Sequence, residues 1–208
     1  MKGMRPPTGD ELAAIVASFT GRHRRRNRCM VVWMYYLGWR VSEVLSLTWA
    51  DVLGPGGEPQ KWVSLQRRYR KGHREGVVEP VTPSMAHELC AYRDAAVRAG
   101  RPLLAADRPW PFARQHAWRI VADACWRAGI CRRGIGCHGL RKKHGVDVHD
   151  DGVEQVRRGE VRADPMRMAS QSLGHASIAS TEHYLPFDRS AVYAARERLQ
   201  TFPEPAGS

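Results

Sequence analysis

The chain is short of acidic residues and has very little lysine. Asp and Glu number 21 against 33 Lys and Arg, a net charge of +12 over 208 residues, and only five of those cations are lysines. Such an excess on a small chain points to a polyanionic partner, with nucleic acid ahead of a membrane surface. A genome that favours arginine would give the same bias. Long hydrophobic runs are also missing. The longest, Cys29 to Trp39, has 11 residues, whereas a membrane span needs about 20. The opening MKGMRPPTGDE carries no apolar stretch, so no secretory leader is expected. The five cysteines, at 29, 90, 125, 131 and 137, include no C-x-x-C pair. A disulfide framework is therefore not expected, and a reducing cytoplasm is. Cys125, Cys131, Cys137 and His138 cluster, but without two ligands two to four residues apart they read as buried thiols rather than a zinc site. There is no internal repeat. What remains, 43 % apolar and 26 % charged with seven Trp and six Tyr, describes a globular chain of one domain or a tight pair.

Local signals predict a mainly α fold with a small antiparallel β-sheet (α+β). A mobile arm ends at Pro6-Pro7, and Thr8-Gly9-Asp10-Glu11 reads as a capping box opening a helix with Leu12, Ile15, Val16 and Phe19 inward. The basic run 22–28 is a loop or a helix start that can face phosphates or simply be solvated. Residues 29–37 read as a helix buried all round and stopped by Gly38. A short helix from Ser42 to Thr48 follows, then the turn cluster GPGGEP. Strands are expected at 61–66 and 76–81, joined by the charged tip RRYRKGHRE. Thr82-Pro83 caps a helix to about 99 with Leu89, Tyr92 and Val97 inward. A helix over 115–128 buries Trp118, Ile120, Val121 and Trp126. Further helices are expected over 138–148, 165–173, 178–184 and 188–200, with an irregular polar segment near 153–164 and a disordered tail FPEPAGS.

Four segments stand out together: LGWRVSEVLSLTWADV at 37–52, RYRKGHREGVVEPV at 68–81, CHGLRKK at 137–143 and LGHASIASTEHYLPF at 173–187. In this order and with these internal spacings, the stretch from about 30 to 187 resembles the tyrosine recombinase (phage integrase) family. The residue types suit phosphodiester chemistry. Arginine is always charged and grips phosphate oxygens bidentately, and Arg40 stands at a break between helices, where its side chain can leave the core. His138 and Arg141, at i and i+3, share one helix face and can meet one phosphate. Imidazole can shuttle protons near neutral pH. A phenol with a pKa of about 10 needs cations and a proton acceptor to attack.

The resemblance implies a site-specific recombinase that cuts and rejoins DNA through a 3′-phosphotyrosyl intermediate, in integration, excision or inversion. It implies Tyr184 as nucleophile; Arg40, Arg141 and His175 around the scissile phosphate; Lys71 at the hairpin tip as general acid; and His138 as base or acid. Glu43 is expected to orient Arg40. Neither cofactor nor metal is implied. The expected partners are double-stranded DNA, further copies of the chain in a tetrameric synapse and accessory DNA-bending proteins, in the cytoplasm at the nucleoid and not at a membrane.

Lys142-Lys143 replace the family's usual His-Thr or His-Ser, and the stretch between Arg141 and His175 looks about ten residues longer than usual, within the latitude of loops. Residues 1–28 are expected to form an arm and first helix without a separate core-binding domain, 29–187 the catalytic domain, and 188–208 a C-terminal helix and tail. Two other readings fit the charge and part of the motif set: a non-catalytic DNA-binding regulator, and an enzyme like type IB topoisomerases or telomere resolvases.

Overall fold

A computed structural model describes residues 4–66, 76–130, 134–175 and 178–182. Its architecture is helices around one two-stranded antiparallel sheet, as the sequence predicts. The elements are α1 (Gly9–Ala17), α2 (Arg24–Leu37), α3 (Val41–Val44), α4 (Trp49–Val52), β1 (Trp62–Leu65), β2 (Val77–Pro80), α5 (Pro83–Arg98), α6 (Arg114–Arg127), α7 (Cys137–Arg157), α8 (Pro165–Ser172) and α9 (Ala179–Glu182).

The apolar helix α2 is the hub. It packs against α5 and α7, while α8 packs on α7 and α1 on α6. Cys29 to Met34 and Leu37 are buried, but Tyr35 is half-buried and Tyr36 exposed, so α2 is not buried all round. The polar atoms of its tryptophan are satisfied by the neighbouring helix, with Trp33 Nε1 donating to Met85 O at 3.0 Å. Two of the arginines in the run 22–28 are spent inside the fold. Arg28 donates to Glu88 Oε1 at 2.8 Å and to Val16 O at 3.1 Å, and the Arg26 guanidinium stacks 4.9 Å from the Phe112 ring.

The caps form where the sequence places them. Thr8 Oγ1 accepts from Glu11 N at 3.1 Å while Thr8 N donates to Glu11 Oε2 at 2.8 Å, and Thr82 Oγ1 accepts from Met85 N at 3.3 Å. In the sheet, Trp62 pairs with Pro80 and Leu65 with Val77. Val63 and Leu65 face the core, and Trp62 faces solvent.

Several expectations are corrected. The arm is anchored rather than mobile from residue 5: Arg5 N donates to Gly134 O at 2.6 Å and Pro7 is buried. The helix expected over 42–48 is shorter, ending at Val44, and a separate helix α4 begins only at Trp49, because Glu43 caps α3 at Arg40 and Asp51 caps α4 at Thr48. Val97 is exposed on α5. On α6 the buried stripe is Ala117, Ile120, Val121, Ala124 and Cys125, so Trp118 and Trp126, off that stripe, are 45 % and 65 % exposed. The helix expected to end near 148 runs on to Arg157, and the irregular segment begins only after it. Glycine makes this possible. At Gly152 a Cβ would lie 3.0 Å from Met168 Sδ and 3.3 Å from Pro165 Cα, so the bare position lets α7 continue beneath α8. The expected helix over 188–200 and the tail lie outside the described residues.

Candidate active site

The turn between α2 and α3 supplies the first cation. Gly38 stops α2 in the left-handed conformation, φ 59°, which glycine adopts without strain. Two residues later Arg40 is the extended N-cap of α3. Its backbone N–H donates to Glu43 Oε2 at 2.7 Å and its Nη1 to Glu43 Oε1 at 3.1 Å. The Glu43 carboxylate is itself buried, so both the helix start and the guanidinium are held by one group.

The second cation is Arg141, on α7 and only 3 % exposed. Nη1 donates to Gly38 O at 2.5 Å and Nη2 to Leu173 O at 2.6 Å. Main-chain carbonyls from two distant segments therefore fix the guanidinium plane without neutralising its charge. His138 lies one turn earlier on α7, on the exposed side. Arg40, His138 and Arg141 line one cleft of about 420 Å³, together with Met4, Trp118 and Arg114. Among the described residues lining it there is no carboxylate. Partial desolvation, then the charges of Lys142, Arg141 and Arg40, hold the His138 imidazole below its ordinary pKa. Three cations acting on one imidazole describe a place suited to an oxyanion.

His175 follows α8. Its backbone N–H donates to Ser170 O at 2.9 Å, and its ring Nδ1 lies 2.9 Å from Thr181 Oγ1 on α9. It does not line the cleft, but Leu173, two residues before it, is the residue whose carbonyl holds Arg141. Thus Arg40, His138 and Arg141 are brought together directly, with His175 tied to them through Leu173. Lys71 and Tyr184 lie outside the described residues. Arg114 and Met4 are cleft residues that the sequence does not flag. Nothing in their local pattern distinguishes them from a surface arginine or an arm residue.

Of the three clustered cysteines, Cys125 and Cys137 are buried thiols as read, and Cys131 lies outside the described residues. Cys29, Cys125 and Cys137 are buried, and burial pushes the Cys137 thiol up to about 12. Among the described residues no group of three His, Cys, Asp or Glu side chains is placed to hold a metal ion, and no helix is long and apolar enough to cross a membrane.

The model of the phage integrase family matches residues 8–190. The chain belongs to that family. Among curated proteins, tyrosine recombinase XerD of Mycobacterium leprae (strain TN) is 27 % identical over 205 residues, covering 88 % of this chain and 60 % of that protein. Tyrosine recombinase XerD of Mycobacterium tuberculosis (strain H37Rv) is 30 % identical over 179 residues, covering 83 % and 50 %. This phage integrase family chain thus spans about half to three-fifths of the length of those relatives. Among solved structures, XerA recombinase superposes with a TM-score of 0.65 at 20 % identity, over 96 % of this chain and 66 % of that one. The catalytic domain of bacteriophage HP1 integrase gives 0.57 at 16 % identity, over 94 % and 95 %. Those likenesses show the fold, and the fold is that of the catalytic domains.

Proposed function

We propose that this protein is a site-specific DNA recombinase that cleaves and rejoins strands through a 3′-phosphotyrosyl intermediate. The observation that carries the reading is Arg141: buried, clamped by the Gly38 and Leu173 carbonyls, and sharing a carboxylate-free cleft with Arg40 and His138. A cation so fixed by main-chain carbonyls is preorganised for charge that develops on a phosphate.

In this reading the Tyr184 phenolate oxygen attacks the scissile phosphorus. A phosphotyrosyl ester forms as the bond to the 5′ oxygen breaks. Arg40, Arg141 and His175 stabilise the charge on the non-bridging oxygens. Lys71 gives its proton to the departing 5′ oxygen, and His138 receives the phenol proton. The lowered pKa of His138 suits it to the accepting role at neutral pH. Attack by the 5′ hydroxyl of a second strand reverses the chemistry and restores the phenol, so the ester bond energy is kept. Neither metal nor cofactor has a part in these steps.

The same reading makes residues 29–187 the catalytic domain, preceded by an arm and first helix. It gives the segment 188–200 to a neighbouring protomer in a tetrameric synapse on double-stranded DNA, assisted by DNA-bending proteins. It places the protein at the nucleoid.

The test uses duplex DNA from the flanks of its own gene, labelled at internal phosphates. Label should pass to the wild-type protein in chelator. Arg40→Ala and Arg141→Ala should bind the duplex and take no label. Binding without label transfer by the wild type, even when nicked duplexes and partner proteins are supplied, would favour a regulator.

A further inference from the structure

His144 stands nearly one turn beyond Arg141 on α7, and no step above uses it. Its ring occupies a narrow space between two segments. On one side is Gly38, where a Cβ would lie only 2.3 Å from His144 Cδ2. On the other, His144 Nε2 lies 2.6 Å from Ser172 Oγ at the end of α8. The ring also meets Tyr35 edge-on, with centroids 6.4 Å apart.

Each contact adjoins a group of the cleft. Gly38 gives its carbonyl to Arg141 and precedes Arg40 by two residues. Ser172 precedes Leu173, whose carbonyl takes the other arm of Arg141, and precedes His175 by three. Gly145, next to His144, leaves the space that the Leu173 side chain fills: a Cβ there would lie 2.7 Å from Leu173 Cδ1. The two carbonyls that clamp Arg141 belong to segments that His144 itself wedges and ties.

We propose that His144 is a positioning residue: through Gly38 and Ser172 it sets the spacing between the Arg40 turn and the His175 helix end, and so the geometry of the clamp on Arg141. This rests on the reading of Arg40, Arg141 and His175 as phosphate-binding groups. A residue that merely filled the core would act through volume alone. A positioning residue acts through the hydrogen bond to Ser172 as well, and that bond can be removed while volume is kept. Phenylalanine keeps the ring and its contact with Gly38 but loses the bond. Glutamine can restore a polar atom toward Ser172. Ser172→Ala removes the same bond from the other side with little change in volume.

The experiment measures the single-turnover rate of covalent complex formation on nicked duplex, and duplex Kd, for wild type, H144F, H144Q, S172A and the double variant H144F/S172A. Amide hydrogen exchange is followed in parallel at residues 38–40 and 173–175. A displacement of about 1 Å at a reacting group can cost about a hundredfold in rate. H144F and S172A should therefore each slow the step by about ten- to a hundredfold with Kd unchanged. H144Q should recover most of the rate, the double variant should be no slower than H144F, and exchange should quicken at both segments. Wild-type rates in H144F and S172A would overturn the proposal, as would equal losses in H144F and H144Q or additive losses in the double variant. If the wild type itself forms no covalent complex, the recombinase reading falls and this inference with it, an outcome told apart from the others by that control alone.

Discussion

Arg40 and Glu43 lock each other across one helical turn: the same carboxylate takes the backbone N–H of Arg40 at 2.7 Å and its guanidinium at 3.1 Å. Glu43 is 3 % exposed, while the Arg40 side chain keeps about a third of its surface. The carboxylate is thus hidden behind the cation it orients. That is the arrangement expected where a positive charge must be aimed at a bound anion without being neutralised by solvent-exposed acid.

Glu43→Gln keeps the cap acceptor and loses the charge. It should slow covalent complex formation by about tenfold, from loosened aim of Arg40, with a small loss of stability. Glu43→Ala loses the cap as well and should cost a further ~1 kcal/mol. Single-turnover kinetics and thermal melting measure the two effects separately. An unchanged rate for Glu43→Gln would remove the orienting role.

Gly38→Ala should be more severe. The position has φ 59°, where a side chain costs about 1–2 kcal/mol, and its Cβ would enter the His144 ring at 2.3 Å. We expect a clear drop in melting temperature together with loss of cleavage. Gly139→Ala should act elsewhere. Its Cβ would lie 2.6 Å from the Arg5 carbonyl, so the arm must lift from α7 while the core stays intact. Limited proteolysis should then cut near residue 5 in the variant and not in the wild type, with no large change in melting.

The pH dependence of stability carries a contribution from His144. Burial, then the charge of Arg141, push its imidazole down to about 4 from the ordinary 6.5, against the opposing pull of Asp147 and the Tyr35 backbone. Between those values the unfolded chain binds the proton and the folded one does not, so stability is lost as pH falls through that window. The full contribution is about 3 kcal/mol and is exhausted below about pH 4. Melting temperature followed from pH 7 to pH 4 should fall less steeply for H144F than for wild type. Parallel curves would contradict the assignment.

Duplex binding should weaken steeply with salt, log K falling linearly with log salt at about 0.9 per phosphate contact. Substituting Arg114, on the cleft wall, should reduce that slope by about one contact. A slope near zero would mean that the net charge of +12 serves something other than phosphate.

Where a feature depends on near neighbours in sequence, it could be read directly. The Thr8–Glu11 box, the Gly38 stop, the paired strands and the adjacency of His138 and Arg141 are of this kind. Reading failed where packing decides. Trp118 and Trp126 are apolar and helical, yet α6 turns its small residues inward, because Ala117 and Ala124 allow close approach and two indoles would not. The end of α7 was hidden because the polar segment after 148 carries no apolar period, while the clearance that Gly152 gives to Met168 and Pro165 is visible only in the packing. The bonds of Arg141 to Gly38 and Leu173 span 103 and 32 residues, distances at which no spacing rule operates. The family motifs supplied those residues before the geometry joined three of them.

The most direct test of the account is the identity of the nucleophile. Nicked duplex is incubated with wild type and Tyr184→Phe in chelator, run under denaturing conditions, and the adduct is digested for mass spectrometry. An adduct is expected in the wild type only, with the nucleotide on the peptide that contains Tyr184. An adduct that persists in Tyr184→Phe, or maps to another residue, would contradict it.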